Sequence, residues 1–166
     1  MKAFLGIVIF VAWAVVVAVC DYRRRRIPNS VVVVGFVAAF GCALGQFGPF
    51  GVSLTQTLMG ASIGLVALLP FFALGVMGAA DVKVFAVLGA WCGMHALLGL
   101  WMAASLAAGI HALWLLAVTR TRLAGLGRHG GPTFELAGKA STPFAAYLTV
   151  AASGWLGMQV LSGGLR

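Results

Sequence analysis

Two aspartates are the residues of this sequence whose types and positions best suit chemistry. Asp21 and Asp81 are the only aspartates among 166 residues, and Glu135 is the one other acid. Asp21 follows an apolar run and stands just before four consecutive arginines, while Asp81 interrupts apolar sequence in "GVMGAADVK". Two carboxylates that share a site can hold one proton, so that one activates a water and the other donates a hydrogen bond to a carbonyl. Together they point to acid–base hydrolysis.

Each aspartate alone also fits a simpler role. A carboxylate at the end of a membrane helix can be solvated at the interface or paired with a nearby cation, Arg23 for Asp21 and Lys83 for Asp81. An ionisable group near the bilayer costs on the order of a few kcal/mol when it is desolvated, which makes it a functional candidate. From the residues alone, both interpretations stay open.

Membrane helices must position the pair. The chain is 62% hydrophobic and 8% charged, with a mean hydropathy of +1.07, which excludes an ordinary soluble domain. A helix needs about 20 apolar residues to cross the hydrocarbon core. We therefore expect an all-α polytopic membrane protein, with residues 1–166 forming one membrane-embedded domain of about six helices in one bundle. The apolar runs predict spans at residues 3–20, 31–46, 54–77, 83–95, 97–118 and 142–162.

The sequence also predicts how these helices begin, turn and pack. Asn29 or Ser30 can cap the second span, and a reversal near Gly93 separates the fourth span from the fifth. Pairs of glycines four positions apart allow close helix contact. These pairs are Gly41 and Gly45, Gly60 and Gly64, and Gly89 and Gly93.

The basic residues predict the orientation. Nine of the eleven fall on one side of the six-span arrangement, leaving only Lys2 and Arg166 on the other. The positive-inside rule then puts both termini outside the cytoplasm and both aspartates at its membrane boundary, with the basic loops against anionic lipid headgroups. Placement in short loops also argues against nucleic-acid binding. No Cys-x-x-Cys is present, so neither a zinc site nor a disulfide framework is indicated.

Three stretches carry a resemblance to a known family. "DYRRRRIPN" resembles the Asp, Arg and Ile-Pro-Asn region of type IV prepilin peptidases, and "GAADVKVFAVLGAWCG" resembles their Gly-x-Gly-Asp-Val-Lys motif and the apolar helix after it. "TPFAAYL", residues 142–148, is similar to the opening of their last span. The resemblance implies that Asp21 and Asp81 are the catalytic pair. It also marks supporting motif residues: Arg23, Ile27, Pro28, Asn29, Gly78, Ala80 and Lys83.

The resemblance implies a membrane aspartyl endopeptidase of the GxGD class in the bacterial inner membrane, without metal or cofactor. Its substrate would be a prepilin, with a basic leader in the cytoplasm and an apolar helix in the membrane, cut by activated water without a covalent intermediate. Ala80 stands where the family has its second glycine. The chain also lacks the cysteine-bearing insertion of the larger, methylating relatives, so it resembles the short branch that serves Flp/Tad pili.

Helix dipoles suggest how the pair divides its roles. A helix C-terminus disfavours a carboxylate at Asp21, and a helix N-terminus favours one at Asp81. We therefore expect Asp81 to hold the charge and Asp21 the proton. Two other functions stay open: a small proton-coupled transporter, which expects acids near the bilayer midplane and often an internal repeat, and a non-catalytic secretion-assembly subunit whose aspartates only pair with basic residues.

Overall fold

Six α-helices make up the described part of the protein. The computed structural model describes residues 2–24, 26–75, 77–125 and 144–162, and no strand occurs among them. The predicted all-α class is therefore confirmed. The helices are α1 (Lys2–Arg24), α2 (Asn29–Leu44), α3 (Leu54–Ala73), α4 (Ala79–Cys92), α5 (Met94–Gly125) and α6 (Phe144–Leu161).

Four of these helices are long and apolar enough to cross a membrane. They contain the segments Phe4–Arg23, Leu54–Ala73, Met94–Trp114 and Phe144–Leu161. The protein is thus a multi-pass membrane protein. With 16 residues in α2 and 14 in α4, these two helices rise only about 24 and 21 Å, less than the roughly 30 Å of the hydrocarbon core. Length and composition therefore identify four candidate crossings among the described residues, and the predicted count of six stays a prediction.

The boundaries of α4 and α5 differ from the predicted spans. α4 begins at Ala79 rather than at residue 83, because Gly78 takes an extended N-cap conformation with ψ of 147° and two alanines follow it. Asp81 thus lies inside the first turn of α4 instead of preceding the helix. α5 continues to Gly125, since no proline or glycine interrupts residues 110–124.

The longer α5 changes the place of two basic residues. Arg120 and Arg122 belong to this helix rather than to a loop. Three other residues of the predicted loop, Arg128, Glu135 and Lys139, lie outside the described residues.

Short connections fold α1 to α5 back and forth between two ends of the bundle. We call the end that holds Asp21, Asn29 and the start of α6 the aspartate end, and the opposite end the far end. The predicted reversal after α4 is present: Gly93 has φ of 75°, a left-handed conformation that side chains disfavour. At the far end, Ser53 and Gln56 form a capping box that starts α3.

α4 is the central helix of the bundle. Residues 84–92 are all buried, as is Val82, and α4 contacts α2, α3, α5 and α6. Its contact with α3 is closest where glycines meet, because a Cβ on Gly60 would overlap the carbonyl oxygen of Gly89. Gly41 has no such neighbour within 4 Å. The prediction that it allows a close helix contact is therefore wrong.

The far end of α4 is covered by protein. Gly93 lies against Gly60, six positions into α3, so α4 ends about 9 Å short of the start of α3. Val52, from the connection between α2 and α3, lies where a Cβ on Gly93 would come within 3.2 Å of it. In the same connection the ring of Phe50 lies 5.1 Å from that of Phe10 and 5.2 Å from that of Trp155. Gly93 at the end of α4 is accordingly buried.

Candidate active site

The start of α6 brings the two aspartates together. The backbone N–H of Ala146 donates to Asp21 Oδ2 at 2.9 Å, and the backbone N–H of Ala145 donates to Asp81. The first N–H groups of a helix have no partner within the helix, and the helix dipole favours negative charge there. Two consecutive amides therefore hold two carboxylates that lie sixty positions apart in the sequence.

Asp21 lies in the last turn of α1, and its side chain is only 6% exposed. An ionised carboxylate removed from water needs hydrogen bonds or nearby positive charge. The amide of Ala146 supplies one such bond. Because Asp21 is buried, it is not the solvated carboxylate at a helix end that the sequence alone left possible.

Asp81 is a carboxyl group with a perturbed proton affinity. Burial and then the charge of Asp21 raise its pKa from 3.8 to about 6, while hydrogen bonds from the amides of Gly78 and Ala145 act in the opposite direction. The division of charge and proton between Asp81 and Asp21 stays a prediction. Burial and a second carboxylate outweigh the two amides.

This arrangement can do acid–base chemistry. Two neighbouring carboxylates in a desolvated place do not both ionise easily, so the pair retains a proton to a higher pH than either acid would alone. A pair with one proton offers a base and a hydrogen-bond donor at once. Among the described residues, no three His, Cys, Asp or Glu side chains lie together as candidate metal ligands.

The Ile-Pro-Asn turn links α1 to α2 and then to α4. Ile27 is buried in the core, and Pro28 takes the N-cap position of α2. The predicted cap by Asn29 or Ser30 is wrong, because α2 has no side-chain cap and begins at Asn29 itself. The Asn29 side chain instead accepts a hydrogen bond from Lys83 Nζ at 2.8 Å.

The remaining motif residues lie around the pair in different ways. Arg23 is exposed at the end of α1. Gly78 lies close to the Asp81 carboxylate, since a Cβ on Gly78 would lie 3.3 Å from Asp81 Oδ2. Ala80 is partly buried within α4 and is not among the described residues with positive φ. The alanine in place of the family's glycine therefore introduces no backbone strain.

The sequence did not single out Ala145 and Ala146 as site residues. Their contribution is a pair of backbone N–H groups, which every residue except proline carries. The stretch "TPFAAYL" marked the region only through its resemblance to the last span of the family. Only the placement of α6 against α1 and α4 shows that these two amides meet the carboxylates.

A separate groove lies between α3, α4 and α5. Its volume is about 290 Å³, and its lining side chains are all apolar or aromatic. They are Ile63, Ala67, Leu68, Phe71, Phe85, Met94, Leu97, Leu98 and Trp101. None of them can transfer a proton near neutral pH, so the groups suited to hydrolysis are those at the start of α6.

Comparison with known proteins identifies a family. A family model described as the type IV leader peptidase family matches residues 8–113, well over half of the chain. The matched segment contains both aspartates and ends before α6. No curated protein and no solved structure gives a significant match.

Proposed function

The chain belongs to the type IV leader peptidase family, and from this premise we propose that it is an aspartic endopeptidase in which Asp21 and Asp81 remove the leader from prepilins. The observation that carries the proposal is the pair of amides of Ala145 and Ala146, each bound to one of the two carboxylates. Two acids held side by side and withdrawn from water are what the hydrolysis of a peptide bond by activated water requires.

The proposed reaction uses one proton shared by the pair. The ionised carboxylate takes a proton from a water molecule, whose oxygen attacks the scissile carbonyl carbon. The protonated carboxyl donates a hydrogen bond to the carbonyl oxygen and stabilises the charge that develops on it. Collapse of the tetrahedral intermediate breaks the C–N bond, and the leaving amine takes up a proton from the pair. The backbone amides of α6 keep both carboxylates oriented during these steps.

The proposed substrate is a prepilin whose basic leader lies in the cytoplasm and whose apolar helix enters the inner membrane. In this arrangement the aspartate end faces the cytoplasm and meets the scissile bond at the membrane boundary. The exposed Arg23 and Arg26 at that end support it, because cytoplasmic loops are enriched in basic residues that contact anionic headgroups. Within this proposal the prepilin belongs to the Flp/Tad class of pilins.

The placement of the acids distinguishes this function from proton transport. Asp21 lies in the last turn of α1 and Asp81 in the first turn of α4. A proton-coupled transporter would be expected to carry its acids near the bilayer midplane. Acids at the helix ends instead suit a substrate that is cut at the boundary.

Coexpression with a candidate prepilin tests the proposal. Asp21→Asn and Asp81→Asn are each expected to slow leader removal by at least about 100-fold, because general acid–base catalysis contributes roughly 10²–10⁴-fold. Immunoblotting of precursor and mature pilin measures the effect. Tyr22→Phe is the control, since Tyr22 adjoins Asp21 but is 77% exposed and should leave processing unchanged. If both asparagine variants process the prepilin as fast as the parent, the protein is not an aspartic peptidase.

A further inference from the structure

We propose that the apolar groove between α3, α4 and α5 receives the apolar helix of the prepilin just beyond the scissile bond, and so sets that bond at the aspartate pair. The inference rests on the proposed peptidase function and adds to it the surface that holds the substrate within the membrane. In this role the groove residues bind the substrate, and the two aspartates cleave it.

The groove begins one helical turn from the aspartate pair. Phe85 lines the groove and follows Asp81 by four positions in α4. Residues four apart lie on the same face of a helix, one above the other, and four residues rise about 6 Å. A helix lying in the groove therefore needs about one more turn to reach the level of the Asp81 carboxyl group.

The groove has the dimensions of two turns of a bound helix. Its lining extends from Ile63 to Phe71 on α3 and from Met94 to Trp101 on α5, which corresponds to about 12 and 11 Å. An engineered cavity of about 150 Å³ holds one benzene ring, so a volume of about 290 Å³ has room for roughly two large apolar side chains. Side chains three or four positions apart on a helix provide such a pair of anchors.

The rim of the groove opens toward the lipid. α3 and α5 are both long and apolar enough to cross a membrane. At the rim Phe71 and Leu98 are exposed, whereas Phe85 and Leu97 at the floor are buried. A helix can therefore enter sideways from the bilayer, where the apolar segment of a prepilin would lie.

The chemistry of Trp101 favours a peptide over a lipid acyl chain as the occupant. Both are apolar, so burial of apolar surface within a membrane does not distinguish them. Trp101 lines the groove, and its buried Nε1–H finds no acceptor among the described residues. A buried indole N–H usually has a partner, and leaving it without one is costly. A hydrocarbon tail has no acceptor, whereas a helix carries carbonyl oxygens and, at Ser or Thr, hydroxyl oxygens.

The geometry also points to the part of the prepilin that binds. In the proposed orientation the leader lies at the aspartate end and the apolar helix runs toward the far end. The groove starts about 6 Å and ends about 18 Å from the level of Asp81, so it is reached by residues roughly 4–12 positions beyond the scissile bond. Large apolar side chains at helical spacing in that stretch are the feature of the substrate that the groove recognises.

Filling the groove tests this role through the KM of prepilin cleavage by the purified full chain in lipid vesicles. Ala67 is exposed and lines the groove, so Ala67→Phe places a ring in the space of the substrate. We expect KM to rise about tenfold, because overpacking weakens the contact, and kcat to change little, because the aspartates are not touched. Ala103→Phe is the matched control, since Ala103 is exposed on α5 outside the groove, two positions from Trp101. An unchanged KM in Ala67→Phe, a lower kcat alone, or equal effects in both variants would overturn the proposal.

Disulfide cross-linking tests the same contact without filling the groove, so it decides the matter where Ala67→Phe folds poorly. Leu98→Cys is made in a chain that lacks the native cysteines and carries Asp81→Asn to preserve the precursor, and single cysteines are placed 4–12 residues beyond the scissile bond of the prepilin. We expect cross-links at prepilin positions three or four apart. Leu69→Cys is the control, because Leu69 is exposed on α3 but lies two positions from Ala67 and outside the groove; it should give none.

The other occupants give different results. A groove filled only by lipid would yield no cross-link to the prepilin and an unchanged KM in Ala67→Phe, and a second copy of this chain would yield cross-links between two Leu98→Cys chains instead. Either outcome overturns the proposal. Asp21→Asn and Asp81→Asn separate the two levels of inference. If either still cleaves as the parent does, the peptidase mechanism fails and this inference fails with it. If both are inactive while the groove variants give a contrary result, only this inference fails.

Discussion

The surroundings of Asp81 favour its protonated form, and this has a consequence for the stability of the fold. The pKa is about 6 in the folded protein against 3.8 for the free side chain, so between these values the folded protein binds the proton more tightly than the unfolded chain. The free energy of unfolding therefore falls as pH rises from about 4 to 6, by about 1.4 kcal/mol for each pH unit. Above about pH 6 the ionisation of Asp81 lowers the free energy of unfolding by its full amount, at most about 3 kcal/mol.

Asp81→Asn should remove this cost together with the activity. The asparagine oxygen can still accept hydrogen bonds from the amides of Gly78 and Ala145, but the side chain is never charged. We expect the variant to unfold several degrees higher than the parent at about pH 8 and at a similar temperature near pH 4. Thermal unfolding in detergent at these two pH values measures the difference. A variant less stable than the parent at about pH 8 would show that ionised Asp81 stabilises the fold.

The sequence identified the acids of the site but not what surrounds them. Asp21 and Asp81 could be selected because a chain with three acidic residues offers few alternatives. The raised pKa of Asp81 could not be predicted from the sequence, since a helix dipole can be inferred from the sequence and burial cannot. Ala145 and Ala146 carry no chemical signature in their side chains, so their amides could be found only in three dimensions.

The contact between α3 and α4 sets the position of Asp81. Gly60 and Gly89 bring the two backbones together, and Gly64 lies where an added Cβ would come within 2.9 Å of the Phe85 carbonyl oxygen. Phe85 follows Asp81 by one helical turn on α4. A change in the separation of the two helices would therefore move the carboxylate relative to the start of α6.

Gly60→Ala and Gly89→Ala should test this role of the contact. In each variant the new methyl group would overlap a backbone carbonyl of the facing helix, and such overpacking costs about 1–3 kcal/mol. We expect a lower unfolding temperature and slower leader removal, since α4 must shift. Thermal unfolding and prepilin processing measure the two effects.

Gly41→Ala is the matched control for these variants. It places the same methyl group in a helix where nothing lies within 4 Å, and alanine favours a helix over glycine. It should leave stability and processing at or above parental levels. Equal losses in all three variants would mean that glycine is needed for some reason other than the contact between α3 and α4.

The pattern of apolar residues predicted that the helices exist. It predicted less well where they end and which helices they contact. All three pairs of spaced glycines looked alike in the sequence, but only those that face another backbone form the contact. The start of α4 was placed too late because Asp81 and Lys83 resemble a loop between apolar runs. Burial among four helices allows this turn to be helical, with Asp81 bound to the amide of Gly78.

At the scale of the whole molecule, an apolar run does not by itself reveal a membrane crossing. α4 is apolar because it is buried all round by other helices, and an apolar helix of its length can be a core helix as readily as a span. The exposed large side chains instead occur on the other helices, such as Phe4 on α1, Val37 on α2 and Leu106 on α5. This distribution suits a bundle with a buried central helix and a lipid-facing outer layer.

The orientation of that bundle is the last prediction, and two serines provide a matched test. Ser30 at the aspartate end and Ser162 at the far end are both exposed, so Ser30→Cys and Ser162→Cys can be labelled in a background without Cys20, Cys42 and Cys92. If the basic residues hold the aspartate end in the cytoplasm, a membrane-impermeant maleimide should label position 162 in intact spheroplasts and position 30 only after permeabilisation. The reverse pattern would place the aspartates opposite the basic leader of a prepilin, and the proposed substrate could not reach them.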